Sequence, residues 1–315
     1  MTVVTLAHLT DVHLGPIRGL TPGYWNLKRA MGFANWQRNR VGLHRRDVAQ
    51  RLLVDLKAQL PDHIAVTGDL TNLGLPQEHS DALDWLRSVG SPDDVSVIPG
   101  NHDIYSSLHG DPGVDRWRQY MSSDRAGAAL AGEPTDAFPY LRRIGSIALV
   151  GLNSAIPTPP LIAAGALGQA QMERTEQLLA RLSAERVFTV VMIHHPPLPG
   201  QASQSRGLRD AAAFERILLK CGAGLVIHGH NHRNMLAWRV GPFGAFPVIG
   251  APSFSAAQHH KDEPLARYNL YRIDTDHRDR SIELIGRGLA EPGGPVVELE
   301  RRVLVAPAMH EMARA

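Results

Sequence analysis

Cysteine is almost absent: Cys221 is the only one in 315 residues. No internal disulfide can form, so a reducing compartment is allowed and an oxidising one is not required. Its setting, LLKCGAG, reads as the end of an apolar helix, which makes it a packed, inert thiol and not a needed ligand. No stretch approaches the ~20 apolar residues of a membrane span. The N-terminal MTVVTLAHLTD lacks the basic start and long apolar run of a signal peptide, so a soluble, cytoplasmic protein is the expectation. An excess of one charge is missing too. The 33 basic and 31 acidic residues leave a formal net charge of +2, with no global pull towards nucleic acid or acidic membranes. Apolar residues make up 43%, enough for a substantial core. One residue is in excess: there are 16 histidines.

Short apolar runs alternate with helical patterns. VVTLAHL (3–9), HIAVTG (63–68), VSVIPG (95–100), IALVGLN (147–153), VFTVVMI (187–193) and GLVIHG (224–229) read as buried strands. Between them, residues 45–60, 76–89, 169–185 and 208–222 carry apolar residues at helical spacing, and the last ends on glycine. The order is that of an α/β architecture with mostly buried strands. After residue 232, MLAWRV, FPVIGA, RYNLYRID, SIELIGR and PVVELERRVLV follow one another without helices. These strands, 233–305, are expected to complete a second sheet. No linker rich in Gly, Ser or Pro and no internal repeat divides the chain, so residues 1–305 are expected to form one domain, with 306–315 a frayed tail.

The chemistry lies at strand ends. The first strand runs into Asp11-Val12-His13, the second into Gly68-Asp69 and the third into Gly100-Asn101-His102-Asp103. Later strands end in His194-His195-Pro196-Pro197 and Gly229-His230-Asn231-His232. Open α/β sheets gather ligand-binding groups beyond the carboxyl ends of their strands. Each fragment alone is an ordinary turn: an Asx bond for D-x-H, a helix entry for G-D, a proline-directed bend for H-H-P-P. Five coincidences at successive strand ends are a poor account, and a metal site is the better one.

This ordered set resembles the calcineurin-like metallophosphoesterase superfamily, whose pattern runs D-x-H, G-D, G-N-H-D/E, H, G-H-x-H. Every element stands between residues 11 and 232. The pattern is specific for the superfamily but not for a substrate. The resemblance implies two packed mixed β-sheets flanked by helices, an α-β-β-α sandwich. It also implies a dinuclear metal centre, with Asp11, His13 and His232 on one metal, Asn101, His194 and His230 on the other, and Asp69 bridging. Imidazole with carboxylate and amide oxygens suits Mn, Fe, Zn or Co. Two such metals ~3.5–4 Å apart clamp a phosphoryl oxygen and generate a hydroxide for in-line attack on phosphorus. By the same resemblance His102 stabilises charge on the phosphoryl group or protonates the leaving oxygen, with Asp103 orienting its imidazole. His195 is then either a pocket-rim residue, and so a candidate substrate contact, or a histidine that supports the ligands, and His228 is a structural or supporting histidine. The remaining histidines match no motif position and read as surface or packing residues. Among them His259 and His260 lie in a loop that reads as solvated, with a return of that loop to the site as the alternative.

Residues 20–46, LTPGYWNLKRAMGFANWQRNRVGLHRR, hold no acidic residue and interleave aromatics with basic side chains. A plain surface helix with core-facing aromatics is one reading. A lid is another, with Trp25, Arg29, Trp36 and Arg38 as candidate substrate contacts through stacking and phosphate pairing. Contact with anionic lipid headgroups ranks behind these. The leading expectation is a metal-dependent phosphoric ester hydrolase, a phosphodiesterase for a small diester such as a cyclic nucleotide or glycerophosphodiester. Alternatives are a lipid-linked diester or pyrophosphate, a phosphomonoester, and last a non-catalytic scaffold. Extended nucleic-acid contact is disfavoured, and a homo-oligomer is left open.

Overall fold

A computed structural model describes residues 3–108, 110–131, 138–275 and 281–306. The last nine residues of the expected frayed tail, and His109, His277 and His310, lie outside the described residues.

The first sheet grows from β1 (Val3–Leu9), with β2 (His63–Val66) and β3 (Val95–Val97) added in parallel. Two helices, α2 (Arg46–Ala58) and α3 (Pro76–Val89), form the crossovers, and α1 (Leu27–Asn39) precedes them within the basic-aromatic segment. Asn26 caps α1 by accepting from Arg29 N, as a short amide side chain at that position commonly does. Pro76 opens α3, where the missing N–H costs nothing. The Glu78 carboxylate in its first turn accepts from the N–H groups of Asn72, Leu73 and Leu75, which ties the helix to the loop leaving β2.

The second sheet is built from β4 (Tyr140–Ile144), β5 (Ile147–Gly151), β6 (Phe188–Met192), β7 (Leu225–His228), β8 (Met235–Gly241) and β9 (Gly244–Gly250). A short helix, α4 (Arg125–Ala131), precedes it, while α5 (Gln169–Ala184) and α6 (Ala211–Cys221) cross between its parallel strands. Side chains alternate as a two-residue period requires. Leu149, Val190, Met192, Leu225 and Ile227 join the core shared with the first sheet. Val150, Val191 and Val226 pack on the other side with Leu178, Leu182 and Phe214 of the two helices. Strands covered on both faces explain the unbroken apolar runs in the sequence.

The C-terminal strands correct an expectation. Only β8 and β9 complete the second sheet, whose order is β4-β5-β6-β7-β9-β8. The strands β10 (Arg267–Asp274), β11 (Ser281–Leu289) and β12 (Val296–Val303) join the first sheet instead, giving β12-β11-β10-β1-β2-β3. The reason is hydrogen bonding. Buried β1 has β2 on one edge only, and its other edge needs a partner. β10 supplies it, antiparallel from Val3↔Asp274 to His8↔Asn269. The segment 251–266 therefore crosses from one sheet to the other over the strand ends.

Candidate metal centre

The parallel runs β1-β2-β3 and β5-β6-β7 bring the five motif-bearing strand ends to one edge of the two sheets. Backbone bonds lock the loops together there: Asp11 N donates to Gly68 O (2.9 Å), His13 N to Asp69 O (2.9 Å) and Gly229 N to His194 O (3.1 Å). Asp11, His13, Asp69, His230 and His232 all have positive φ, between 45° and 71°. Each such non-glycine residue costs about 1–3 kcal/mol, and such strain collects where side chains must be aimed rather than relaxed. All seven candidate ligands are buried.

Two groups of acceptors result. His13 Nδ1 donates to Thr71 O (3.1 Å) and His232 Nδ1 to Glu263 Oε2 (2.9 Å). These bonds put each neutral ring's proton on Nδ1 and leave a lone pair on Nε2. The two Nε2 atoms face one another at 3.3 Å, with Asp11 Oδ1 3.1 Å from that of His232. His194 Nδ1 likewise donates to Thr67 O (2.7 Å), and its Nε2 lies 3.2 Å from Asn101 Oδ1 and 3.5 Å from Asp69 Oδ2. His230 Nδ1 reaches the same Asn101 oxygen at 2.8 Å, and its Nε2 is buried with no partner. Asp69 Oδ2 sits between the groups, 3.9 Å from His13 Nε2. Lone pairs and carboxylate oxygens that converge without a donor need a cation. The residues present fit metal ions, and Asp11–His13–His232 and Asp11–Asp69–His194 each bring three ligand atoms within 4.8 Å of one another.

Without a cation, protons take that place. Burial is the largest single influence and lowers both rings, but Asp69, Asp11 and the Thr67 carbonyl together push His194 up to about 9, and Asp11 with Glu263 does the same to His232, also to about 9. Metal ligation needs neutral imidazole, and at pH 7 both rings of the metal-free protein carry an extra proton. Metal uptake is therefore expected to release one to two protons per chain at pH 7, with affinity rising towards pH 9. Calorimetry in buffers of different ionisation enthalpy measures this, and a buffer-independent heat contradicts it.

The residues around the ligands depart from expectation in several places. Asp103 does not reach the His102 ring. Its carboxylate accepts from the N–H groups of Asp69, Leu70, Thr71 and Gly100, and so clamps the loops after β2 and β3 together. The carbonyl of Asn72 orients His102 instead, accepting from Nδ1 at 2.6 Å. That leaves His102 Nε2 to accept from Arg40 Nη1 at 3.3 Å. Burial lowers the His102 pKa to about 4, with Asp69 opposing. Of the two readings of His195 the structure agrees with the supporting one and not the rim: it is fully buried, with Nδ1 on Ser154 Oγ (2.8 Å) and Nε2 on Ala163 O (3.1 Å), and its ring packs on that of His230. His228 is buried behind the site, with Nδ1 on Gly229 O.

Within the basic-aromatic segment the structure selects other residues than those expected. Arg29 is buried and donates to the carbonyls of Tyr24, Leu73 and Gly74, anchoring α1. Trp25 and Trp36 both pack on Phe33, and Arg38 is exposed. None of these four makes a contact with the candidate ligands in the described residues. Arg40 and His44, at the end of the segment, do approach. The His44 ring lies 4.6 Å from that of His13 and 5.5 Å from that of His232. The loop expected to be solvated also returns to the site, through Ser253 (Oγ donating to Asp11 O, 2.7 Å) and Glu263, not through His259 or His260. No local pattern in the sequence marks these residues. Only the crossing of 251–266 brings them in.

Gly229 illustrates how closely backbone passes the ligands. A Cβ there would overlap Thr10 Oγ1 and lie 2.5 Å from Asp11 Oδ2. Gly229→Ala is expected to displace Asp11 and lower metal content and kcat together, with circular dichroism unchanged. Full metal occupancy in that variant would contradict the packing argument.

No helix among the described residues is long and apolar enough to cross a membrane. The family model for calcineurin-like phosphoesterases matches residues 4–234. A Synechococcus protein described as a probable cyclic nucleotide phosphodiesterase is 27% identical over 231 residues, covering 72% of this chain and 78% of its own length. Another probable cyclic nucleotide phosphodiesterase, from Rhodococcus erythropolis, is 24% identical over 199 residues, 61% of this chain and 57% of its own. Among solved structures, a dimetal phosphatase from Danio rerio superposes with a TM-score of 0.60 at 15% identity, over 94% of this chain and 98% of that one. A purple acid phosphatase from yellow lupin gives 0.56 at 12% identity, over 96% of this chain and 53% of that one. At these identities the structures show a shared fold.

Proposed function

Because this chain belongs to the calcineurin-like phosphoesterase family and is a metal-dependent phosphoric ester hydrolase, we propose that its substrate is a small phosphodiester. The observation that carries the metal-dependent chemistry is the facing pair of His13 and His232 Nε2 atoms beside Asp11, with Asp69 Oδ2 between them and His194. Asp11, His13 and His232 would hold one metal ion and Asn101, His194 and His230 a second, with Asp69 within reach of both groups. The donor set suits Mn, Fe, Zn or Co. When bound, such ions supply Lewis acidity to the phosphoryl oxygens and an activated water at neutral pH.

The chain's own residues do the rest. Thr67 and Thr71 carbonyls fix the ring orientations of His194 and His13 through Nδ1. His102, held by Asn72 O, presents Nε2 to the side where Arg40 lies. A phosphoryl anion arriving there favours the imidazolium, and His102 Nε2 then has a proton for the leaving oxygen. The names of the curated relatives support a diester over a monoester, and a cyclic nucleotide or glycerophosphodiester is the class of substrate. Hydrolysis of bis-p-nitrophenyl phosphate by the Mn-loaded protein tests this. Cleavage of p-nitrophenyl phosphate alone would overturn the diesterase reading and leave a phosphomonoesterase.

A further inference from the structure

Glu78 is a buried acid that takes no part in the steps above. It stands at the third position of α3, where a carboxylate commonly caps the helix by accepting from the residue that precedes it. Its bond from Leu75 N, at 3.1 Å, is that cap. The other two bonds leave the helix: Oε1 accepts from Asn72 N (3.0 Å) and Oε2 from Leu73 N (3.0 Å). A cap needs neither of them.

Those two N–H groups belong to the peptide groups whose carbonyls aim two histidines of the site. The peptide joining Thr71 to Asn72 gives its N–H to Glu78 and accepts from His13 Nδ1 on its carbonyl, at 3.1 Å. The next peptide, joining Asn72 to Leu73, gives its N–H to Glu78 and accepts from His102 Nδ1, at 2.6 Å. A trans peptide points its N–H and C=O in opposite directions, so each one links a carboxylate oxygen to an imidazole. Hydrogen bonds in series polarise one another where the dielectric is low. A carboxylate on the N–H makes the carbonyl a better acceptor for the ring proton.

We propose that Glu78 is a positioning residue for the hydrolysis, holding the His13 and His102 rings at once through two consecutive peptide groups. For the role of His102 this rests on the phosphodiesterase reading. With its Nδ1–H fixed on Asn72 O, His102 keeps Nε2 as the atom that meets the leaving oxygen, and the acceptor behind the ring favours the imidazolium. With its Nδ1–H fixed on Thr71 O, His13 keeps a lone pair on the Nε2 that faces His232. One acid thus serves the ligand side and the proton side of the site together. Other contacts fix the path of the same turn without entering either link. Arg29 donates to the carbonyls of Leu73 and Gly74, and Asn72 Nδ2 to Leu14 O. The isosteric Glu78→Gln is therefore expected to fold.

The test uses Glu78→Gln at pH 8, above the value of about 7 to which burial raises the wild-type carboxyl. In Zn-loaded protein, nuclear magnetic resonance follows the ring Nδ1–H signals, assigned by their loss in His→Gln variants. Those of His13 and His102 are expected to move upfield. Those of His194 and His232, whose Nδ1–H groups go to Thr67 O and Glu263, are expected to stay. In Mn-saturated protein, kcat on diphenyl phosphate is expected to fall by about 10–100-fold with KM unchanged. The loss is expected to depend on the leaving group, diphenyl against bis-p-nitrophenyl phosphate, as it does in His102→Ala. Unmoved His13 and His102 signals overturn the proposal, and so do four signals that move alike, which mark a general loosening. Wild-type kcat, or a leaving-group dependence unlike that of His102→Ala, also overturns it. Should Glu78→Gln not fold, Glu78→Asp, which keeps the charge but draws the oxygens back by a methylene, is read on the same signals. A wild type that cleaves neither ester overturns the phosphodiesterase reading, while the four ring signals still decide whether Glu78 holds the two histidines.

Discussion

Asp69→Asn is expected to lower kcat/KM on any accepted phosphodiester by about 10³–10⁴-fold, equivalent to about 4–6 kcal/mol. The substitution keeps the carbonyl oxygen that accepts from His102 N (2.7 Å), so the loop after β2 holds its shape. What it removes is the negative oxygen lying 3.5 Å from His194 Nε2 and 3.9 Å from His13 Nε2. No other carboxylate in the described residues stands between the two histidine groups at such distances, so both cation positions lose their shared ligand. Metal content is expected to fall below two ions per chain while the far-ultraviolet circular dichroism stays that of wild type. Wild-type turnover in the Asp69→Asn variant with full metal would remove Asp69 from the site.

His102→Ala is expected to lower kcat by about 10²–10⁴-fold, the usual contribution of a positioned proton donor or acceptor. The size depends on the leaving group. An alcohol leaves poorly unless protonated, whereas p-nitrophenolate leaves readily, so the loss should be larger for an alkyl diester than for bis-p-nitrophenyl phosphate. Equal losses with both leaving groups would mean that His102 holds charge on the phosphoryl oxygens instead of giving up a proton. No loss with either would contradict its placement. His102→Gln separates these further, since an amide donates a hydrogen bond but no proton.

How much of this was legible in the sequence depends on whether the signal is local. Strand ends are local: an apolar run that stops at Asp11, Asp69, Asn101, His194 or His230 marks its own terminus, and parallel pairing then gathers those ends. Residue type also marks the candidate ligands in the H-x-H pair, whereas in His194-His195 the choice of His194 comes from the resemblance, and the folded chain adds that both rings are buried and that His195 bonds Ser154 and Ala163. The role of Asp103 was not legible, because four backbone N–H donors from two loops meet its carboxylate only in the folded chain. In the basic-aromatic segment, side-chain chemistry pointed to Arg29, yet α1 turns that arginine inward onto three carbonyls. Arg40 and His44 fall past the helix end and reach the centre. The choice of sheet for β10–β12 likewise has no local mark, since it is set by the open edge of β1.

Two metal ions acting together at the Asp69 carboxylate are central to the proposed hydrolysis. The most direct measurement is a titration of chelator-treated protein with Mn, following turnover of bis-p-nitrophenyl phosphate against bound metal by elemental analysis. Turnover that rises to a plateau at two bound ions per chain is the predicted result. Full turnover in metal-free protein, or a plateau reached at one ion, would contradict it.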